Sequence, residues 1–256
     1  MLKQTIAIAN QKGGVGKTTT SINLGAALAI SGKSVLLIDL DPQANATSGL
    51  SIEPQGATIY ECLMDRRLDE GVILPTNING FSVVASKGDL VGAEIELSNL
   101  SDRQTILKTV LDGMGDFEFI IIDCPPAFGL LTINALVAAS DLIIPVQCEY
   151  YAMEGLGRLL GNVERIRESF NPELAIQGIV LTMYDSRINL SRQVQDEIRG
   201  FFADKVFQTV IPRNVALAEA PSHGKAVLSY NSASSGAKAY LDLAKEILRN
   251  GKESVR

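Results

Sequence analysis

The sequence predicts an α/β fold: a doubly wound, mostly parallel sheet with helices on both faces, in one domain spanning residues 1–256. Three observations carry this expectation. Short apolar runs without alternation, such as Phe119-Ile120-Ile121-Ile122, suit parallel strands covered on both sides. Segments of helical period lie between those runs. No composition break, internal repeat or low-complexity linker divides the 256 residues into separate units.

Taken in order, Thr5-Ile6-Ala7-Ile8-Ala9 reads as a buried strand running into a glycine-rich turn. A helix is predicted over about 18–30, with Ile22, Leu24, Ala27 and Leu28 as apolar positions and Gly32 just past its end. Val35-Leu36-Leu37-Ile38 is the next strand and completes a right-handed βαβ unit. Further strands are expected at 81–85, 119–122, 142–146 and 176–182. Helices are expected at 102–114, with Asp102 near the cap, and at about 153–169, 190–202 and 237–248. The tail from about Asn250 is expected to fray.

Composition narrows the function classes. The chain is 46% hydrophobic and 20% charged, with no apolar run near the roughly 18 residues of a membrane span. Lys3 and Gln4 interrupt the N-terminus, so no secretory leader is expected and a cytoplasmic location is. Cys62, Cys124 and Cys148 form no CxxC pair and His223 is the single histidine, which argues against a zinc site or disulfide framework and for buried reduced thiols. A net charge of −6 argues against a strongly basic nucleic-acid binder but leaves room for a local basic patch.

The chemistry concentrates at Lys12-Gly13-Gly14-Val15-Gly16-Lys17-Thr18, between the first strand and the first helix. Gly16-Lys17-Thr18 supplies the end of the P-loop pattern GxxxxGK[ST], while Gln11 stands where its first glycine would be. Glycines at 13, 14 and 16 let successive N–H groups turn inward around phosphate oxygens at a helix N-terminus, with Val15 and Thr19 completing the cradle. Lys17 would reach the β- and γ-phosphates and the Thr18 hydroxyl would ligate Mg²⁺. Two acidic stations follow. Asp39 and Asp41 leave the sheet at the end of a strand, where their spacing alone does not decide which points inward. Asp123 ends the strand 119–122, as a Walker B aspartate that would hold Mg²⁺ through water.

Lys12 and the missing first glycine make Lys12-Gly-Gly-Val-Gly-Lys-Thr-Thr19 resemble the signature of the ParA/MinD family of deviant Walker A ATPases. Segments 39–49, 145–151 and 210–221 extend the likeness over the whole chain and look like chromosomal, Soj-type ParA proteins. The resemblance implies a P-loop NTPase fold, ATP and Mg²⁺ as cofactors, and a nucleotide-sandwich homodimer in which Lys12 reaches the partner's phosphates. It further implies that Asp41 orients the attacking water, that Asp39 supports the Mg²⁺ shell, and that Pro212 and Asn214 lie beside the adenine. The short polar segment 248–256 lacks the amphipathic face of the MinD branch, so no membrane association is expected.

By the same resemblance, the ATP dimer would bind double-stranded DNA without sequence preference, be nucleoid-associated in that state, and be stimulated to hydrolyse ATP by a ParB-type partner. The candidate DNA contacts are Arg187, Lys205, Arg213 and Lys225, in a stretch (183–225) with six basic and five acidic residues. Where relatives commonly carry arginine after Asn-Val, this chain has Ala216. Two alternatives stay open: a positioning ATPase for another cargo, such as a chemoreceptor cluster or microcompartment, and a metabolic P-loop enzyme.

Overall fold

The computed structural model describes residues 3–112, 114 and 117–253. Strand β1 (Gln4–Ile8) leads through the glycine-rich loop to α1 (Lys17–Ile30) and β2 (Val35–Asp39). Two short helices, α2 (Asn45–Gly49) and α3 (Ile59–Asp65), precede β3 (Ile73–Pro75) and β4 (Phe81–Val84). Then come α4 (Leu90–Ser98), α5 (Ile106–Asp112), β5 (Phe119–Asp123), α6 (Leu130–Ala138), β6 (Asp141–Gln147) and α7 (Ala152–Ser169). Next are β7 (Ala175–Tyr184), α8 (Asn189–Phe202), β8 (Val206–Pro212), α9 (Val215–Glu219), α10 (Val227–Tyr230) and α11 (Ser235–Glu253).

The described residues build one eight-stranded sheet in the order β3-β4-β2-β5-β1-β6-β7-β8. Its pairs are parallel except β3 with β4. Strand β1 lies between β5 and β6, so the chain passes from one side of it to the other, and the crevice at such a switch is where open α/β sheets take ligands. Alternate residues of the central strands feed two cores. Leu36, Ile38, Ile120 and Ile122 join the apolar cluster on one face, while Leu37, Ile121, Ile6 and Ile8 join the other. This two-sided burial is why the strands read as unbroken apolar runs.

One sequence expectation is corrected. The helix predicted over 102–114 begins only at Ile106 and ends at Asp112. Asp102 does not cap it; its carboxylate takes a two-pronged ion pair from Arg66, at 2.6 and 2.9 Å. Helix α11 runs to Glu253, and the last residues of the tail expected to fray lie outside the described residues. Gly32 does sit past the end of α1, at φ +86°, and among the described residues no helix is long and apolar enough to cross a membrane.

Strand β8 departs from regular register against β7. Side chains take up the backbone groups there. Glu246 of α11 accepts the amides of Gln208 (2.7 Å) and Thr209 (3.0 Å). Arg199 of α8 donates to the carbonyls of Phe207 (2.9 Å) and Gln208 (3.2 Å).

Leu37 is wholly buried between β2 and the helices over it. Leu37→Ala is expected to cost about 2–5 kcal/mol, read as a lower urea midpoint with an unchanged slope.

Candidate functional site

The loop between β1 and α1 folds into a nest. Gly14 and Gly16 take φ of +76° and +89°, a region that costs an L side chain roughly 1–2 kcal/mol. Alternation of hand along such a loop turns successive N–H groups to one side, where an anion fits. Long-range bonds hold the loop in this shape. Asn10 donates from Nδ2 to the Pro145 carbonyl (2.7 Å) and accepts the Lys12 amide on Oδ1 (3.0 Å). The Thr182 hydroxyl donates to the Val15 carbonyl at 2.8 Å. No side chain caps α1, so its first amides stay available to the cavity their residues line.

That cavity measures about 550 Å³ and is walled by the loop glycines, Lys17, Thr18, Thr19, Asp41, Pro126 and Lys225, among others. Lys17 is 7% exposed. Burial pulls its ammonium below the ordinary lysine value, partly offset by Asp123, Cys124 and Asp41. It donates to a carbonyl, that of Lys12, at 3.3 Å. A buried cation held this way, next to a helix N-terminus, is built to receive a polyanion.

The two acidic stations meet because β2 and β5 are in register, with Asp39 opposite Asp123. Asp123 is fully buried, and burial, aided by the nearby Asp39 charge, raises its carboxyl to about 7. Its Oδ1 accepts the Ser21 hydroxyl at 2.7 Å, while Oδ2 accepts no hydrogen bond. A buried carboxylate oxygen left open beside the Thr18 hydroxyl fits a hard divalent cation, directly or through water. Among the described residues no cluster of three acidic, histidine or cysteine ligands forms a cage. Mg²⁺ keeps waters and phosphate oxygens in its shell and needs few protein ligands. Asp39 is placed differently: Oδ2 accepts the Thr47 amide (2.8 Å) and hydroxyl (2.6 Å), and Oδ1 accepts the Asp41 amide (3.2 Å). Both of its oxygens are thus bonded to the segment that follows β2.

A second cavity of about 300 Å³ adjoins the first, sharing Gly16, Thr19 and Met183. Met183, Ile211, Pro212, Leu217 and Tyr240 give it apolar walls, and Asn214 gives it a polar group. Asn214 donates to Ser235 Oγ at 2.9 Å, and its Oδ1 is buried without a hydrogen-bond partner. Flat apolar walls with one open acceptor suit a heteroaromatic base carrying an amino group.

The Lys12 side chain does not line the cavity of its own loop. It is 44% exposed and forms an ion pair with Glu149, just past β6, next to the exposed Tyr150 and Tyr151. Of the four candidate DNA contacts, Arg187 and Arg213 both stand close to Asp185. Arg213 lines the second cavity and Lys225 the first. Lys205 is exposed ahead of β8. Arg187 projects to solvent at 86% exposure, clasped to Asp185 by bonds of 2.9 and 2.7 Å; this partner holds the Asp185 carboxyl down at about 2. Ala216 is 8% exposed and packs into the core beneath α11. All three cysteines are free and buried.

Several site residues carry no motif. Ser21 stands one helical turn after Lys17 and so shares its face. Thr182 lies on β7 at the same sheet edge as the loop, a position the strand-edge rule points to. Asn10 reaches Pro145, Glu149 reaches Lys12 and Thr47 reaches Ser86 through tertiary contact.

Comparison with known proteins places this geometry. A family model described as an AAA domain matches residues 3–176. The chain is 53% identical over 251 residues to the sporulation initiation inhibitor protein Soj of Bacillus subtilis, covering 96% of this chain and 98% of that one. It is 47% identical over 247 residues to the chromosome partitioning protein ParA of Myxococcus xanthus, covering 95% and 87%. Among solved structures it is similar to a cobyrinic acid a,c-diamide synthase from Mycobacterium smegmatis with bound ATP analog and magnesium. The TM-score is 0.86 and the identity 36%, over 99% of this chain and 97% of that one.

The Asp123 carboxyl gives a stability test on the ligand-free protein. Its folded value is raised to about 7, so ionisation penalises the fold from the unfolded value of about 4 upward and fully above 7. Asp123→Asn is expected to raise the thermal midpoint at pH 8, with a smaller gain at pH 5. An equal gain at both would locate the effect elsewhere.

Proposed function

This chain belongs to the family of ParA and Soj chromosome-partitioning ATPases, and on that premise we propose that it is an ATP-dependent dimerising switch for chromosome or plasmid partition. The observation that carries the reading is the division of labour between two lysines. Lys17 is buried in the cradle, while Lys12 stands at the rim, turned to Glu149 and away from its own loop's cavity. A cation in that position serves a site other than its own, and a second copy of this chain set face to face supplies one.

ATP would lie with its triphosphate against Gly13–Thr19 and its adenine between Pro212 and Leu217, the amino group on Asn214 Oδ1. Mg²⁺ would be held by Thr18 and Asp123, and it would neutralise charge on the β- and γ-phosphates. Asp41, on the wall of the same cavity, orients the water that attacks the γ-phosphate. Lys17, and Lys12 from the other subunit, stabilise the charge that develops there. Dimerisation requires Lys12 to leave Glu149, so ATP rather than empty protein favours the pair.

The ATP dimer binds nucleoid DNA through phosphate contacts, and a ParB-type partner speeds hydrolysis and so releases it. Arg187 and Arg213, both beside Asp185 past the ends of β7 and β8, are the DNA-facing pair, with Lys205 and Lys225 as further candidates. Two subunits double this patch, which supports binding by a surface of modest charge.

Lys17→Ala is expected to abolish ATP binding in a nucleotide titration; retained affinity would contradict the site. Asp41→Ala is expected to bind ATP and accumulate as a dimer in size-exclusion runs, and a monomer would remove it from the hydrolytic step. In a DNA mobility assay, retention is expected only with ATP, to fall steeply with salt, and to be lost in Arg187→Glu. No retention with or without ATP would favour a metabolic P-loop enzyme.

A further inference from the structure

Asp41 is gripped on both sides by a closed ring of buried hydrogen bonds, and the ring runs through two residues with no assigned part in the chemistry. Asp39, Asp41, Thr47 and Ser86 are each 5% exposed or less. The Asp41 amide donates to Asp39 Oδ1 at 3.2 Å. Asp39 Oδ2 accepts both the amide and the hydroxyl of Thr47, at 2.8 and 2.6 Å. The Thr47 hydroxyl, its proton spent on Asp39, accepts the Ser86 amide at 2.9 Å. The Ser86 hydroxyl donates at 2.8 Å to the Asp41 carbonyl and closes the ring. The residues come from the end of β2, from α2 and from the turn after β4.

The ring leaves the Asp41 side chain to the cavity. Its amide and carbonyl are both held by side chains, and its Oδ1 accepts the Gln43 amide at 2.9 Å, which sets the carboxylate's orientation. Thr47 is the residue on which the ring turns, since one hydroxyl both donates to Asp39 and accepts from Ser86. A group that must aim a water at phosphorus loses rate when it drifts by a fraction of an ångström. We infer that Thr47 and Ser86 are positioning residues for hydrolysis, acting through the backbone of Asp41 and not through contact with nucleotide. This inference rests on the reading of Asp41 as the residue that orients water.

Thr47→Val keeps the side-chain shape and removes both hydroxyl bonds; Thr47→Ser keeps the bonds; Ser86→Ala cuts only the bond to the Asp41 carbonyl and the water-sized group that makes it. The measurement is single-turnover hydrolysis of labelled ATP with protein in excess, Mg²⁺ and double-stranded DNA present, beside the affinity for a non-hydrolysable ATP analogue. Thr47→Val and Ser86→Ala are expected to slow hydrolysis about tenfold to a hundredfold with analogue affinity unchanged, and Thr47→Ser to restore the wild-type rate. Wild-type rate in a folded Thr47→Val or Ser86→Ala protein overturns the inference. So does loss of rate and affinity together, the mark of general damage. If Thr47→Val does not fold, Ser86→Ala decides by the same two readouts. A wild-type protein that binds the analogue but hydrolyses no ATP sinks the hydrolytic reading itself, a result distinct from these.

Discussion

The parallel register of β2, β5 and β1 is the constraint from which the site follows. Asp39 pairs with Asp123, and Asp123 with Ile8, across three neighbouring strands. The chain therefore leaves the sheet at one edge three times, once into the phosphate nest and twice beside an aspartate. None of these groups would meet if one strand slipped by a residue, because each slip also reverses which face its side chains enter. Two apolar cores, fed by alternate residues, hold that register. The geometry that handles charge is thus set by residues that carry none.

Charge at this edge is held out of balance. Lys17 and Asp123 are both buried, one depressed and the other raised from its ordinary value by loss of water. Asp123 keeps an oxygen without a hydrogen bond and Asn214 does the same in the adjoining cavity. Folded proteins leave few such groups; the one on Asn214 lines the second cavity, and the one on Asp123 lies at the end of β5, behind the phosphate loop. The fold carries the cost of these groups in exchange for a place where phosphate, cation and base complete its bonding.

Much of this was legible in the residues. The unbroken apolar runs at 35–38 and 119–122 announced strands covered on both faces, and the glycines at 14 and 16 announced the left-handed turns that they make. What could not be read was settled by partners far away in the chain. Asp102 looks like a helix cap until Arg66, 36 residues earlier, takes its carboxylate. The spacing of Asp39 and Asp41 did not say which faces the cavity; Thr47 decides it by occupying Asp39. The family resemblance sends Lys12 to a partner's phosphates, and only tertiary structure sets it against Glu149 within its own chain. The short helices α2, α3 and α9 have too few residues for a period to register.

The treatment of β8 bears on how copies of this chain can join. An outer strand with idle amides and carbonyls is a template on which another sheet grows. Here Glu246 and Arg199 have consumed those at 207–209, and the strand at the opposite border, β3, is three residues long and ends in Pro75. Neither border offers a long ladder for continuous polymerisation through main-chain bonding. Contact between molecules is left to side-chain surfaces, which a ligand can make and unmake without disturbing the sheet.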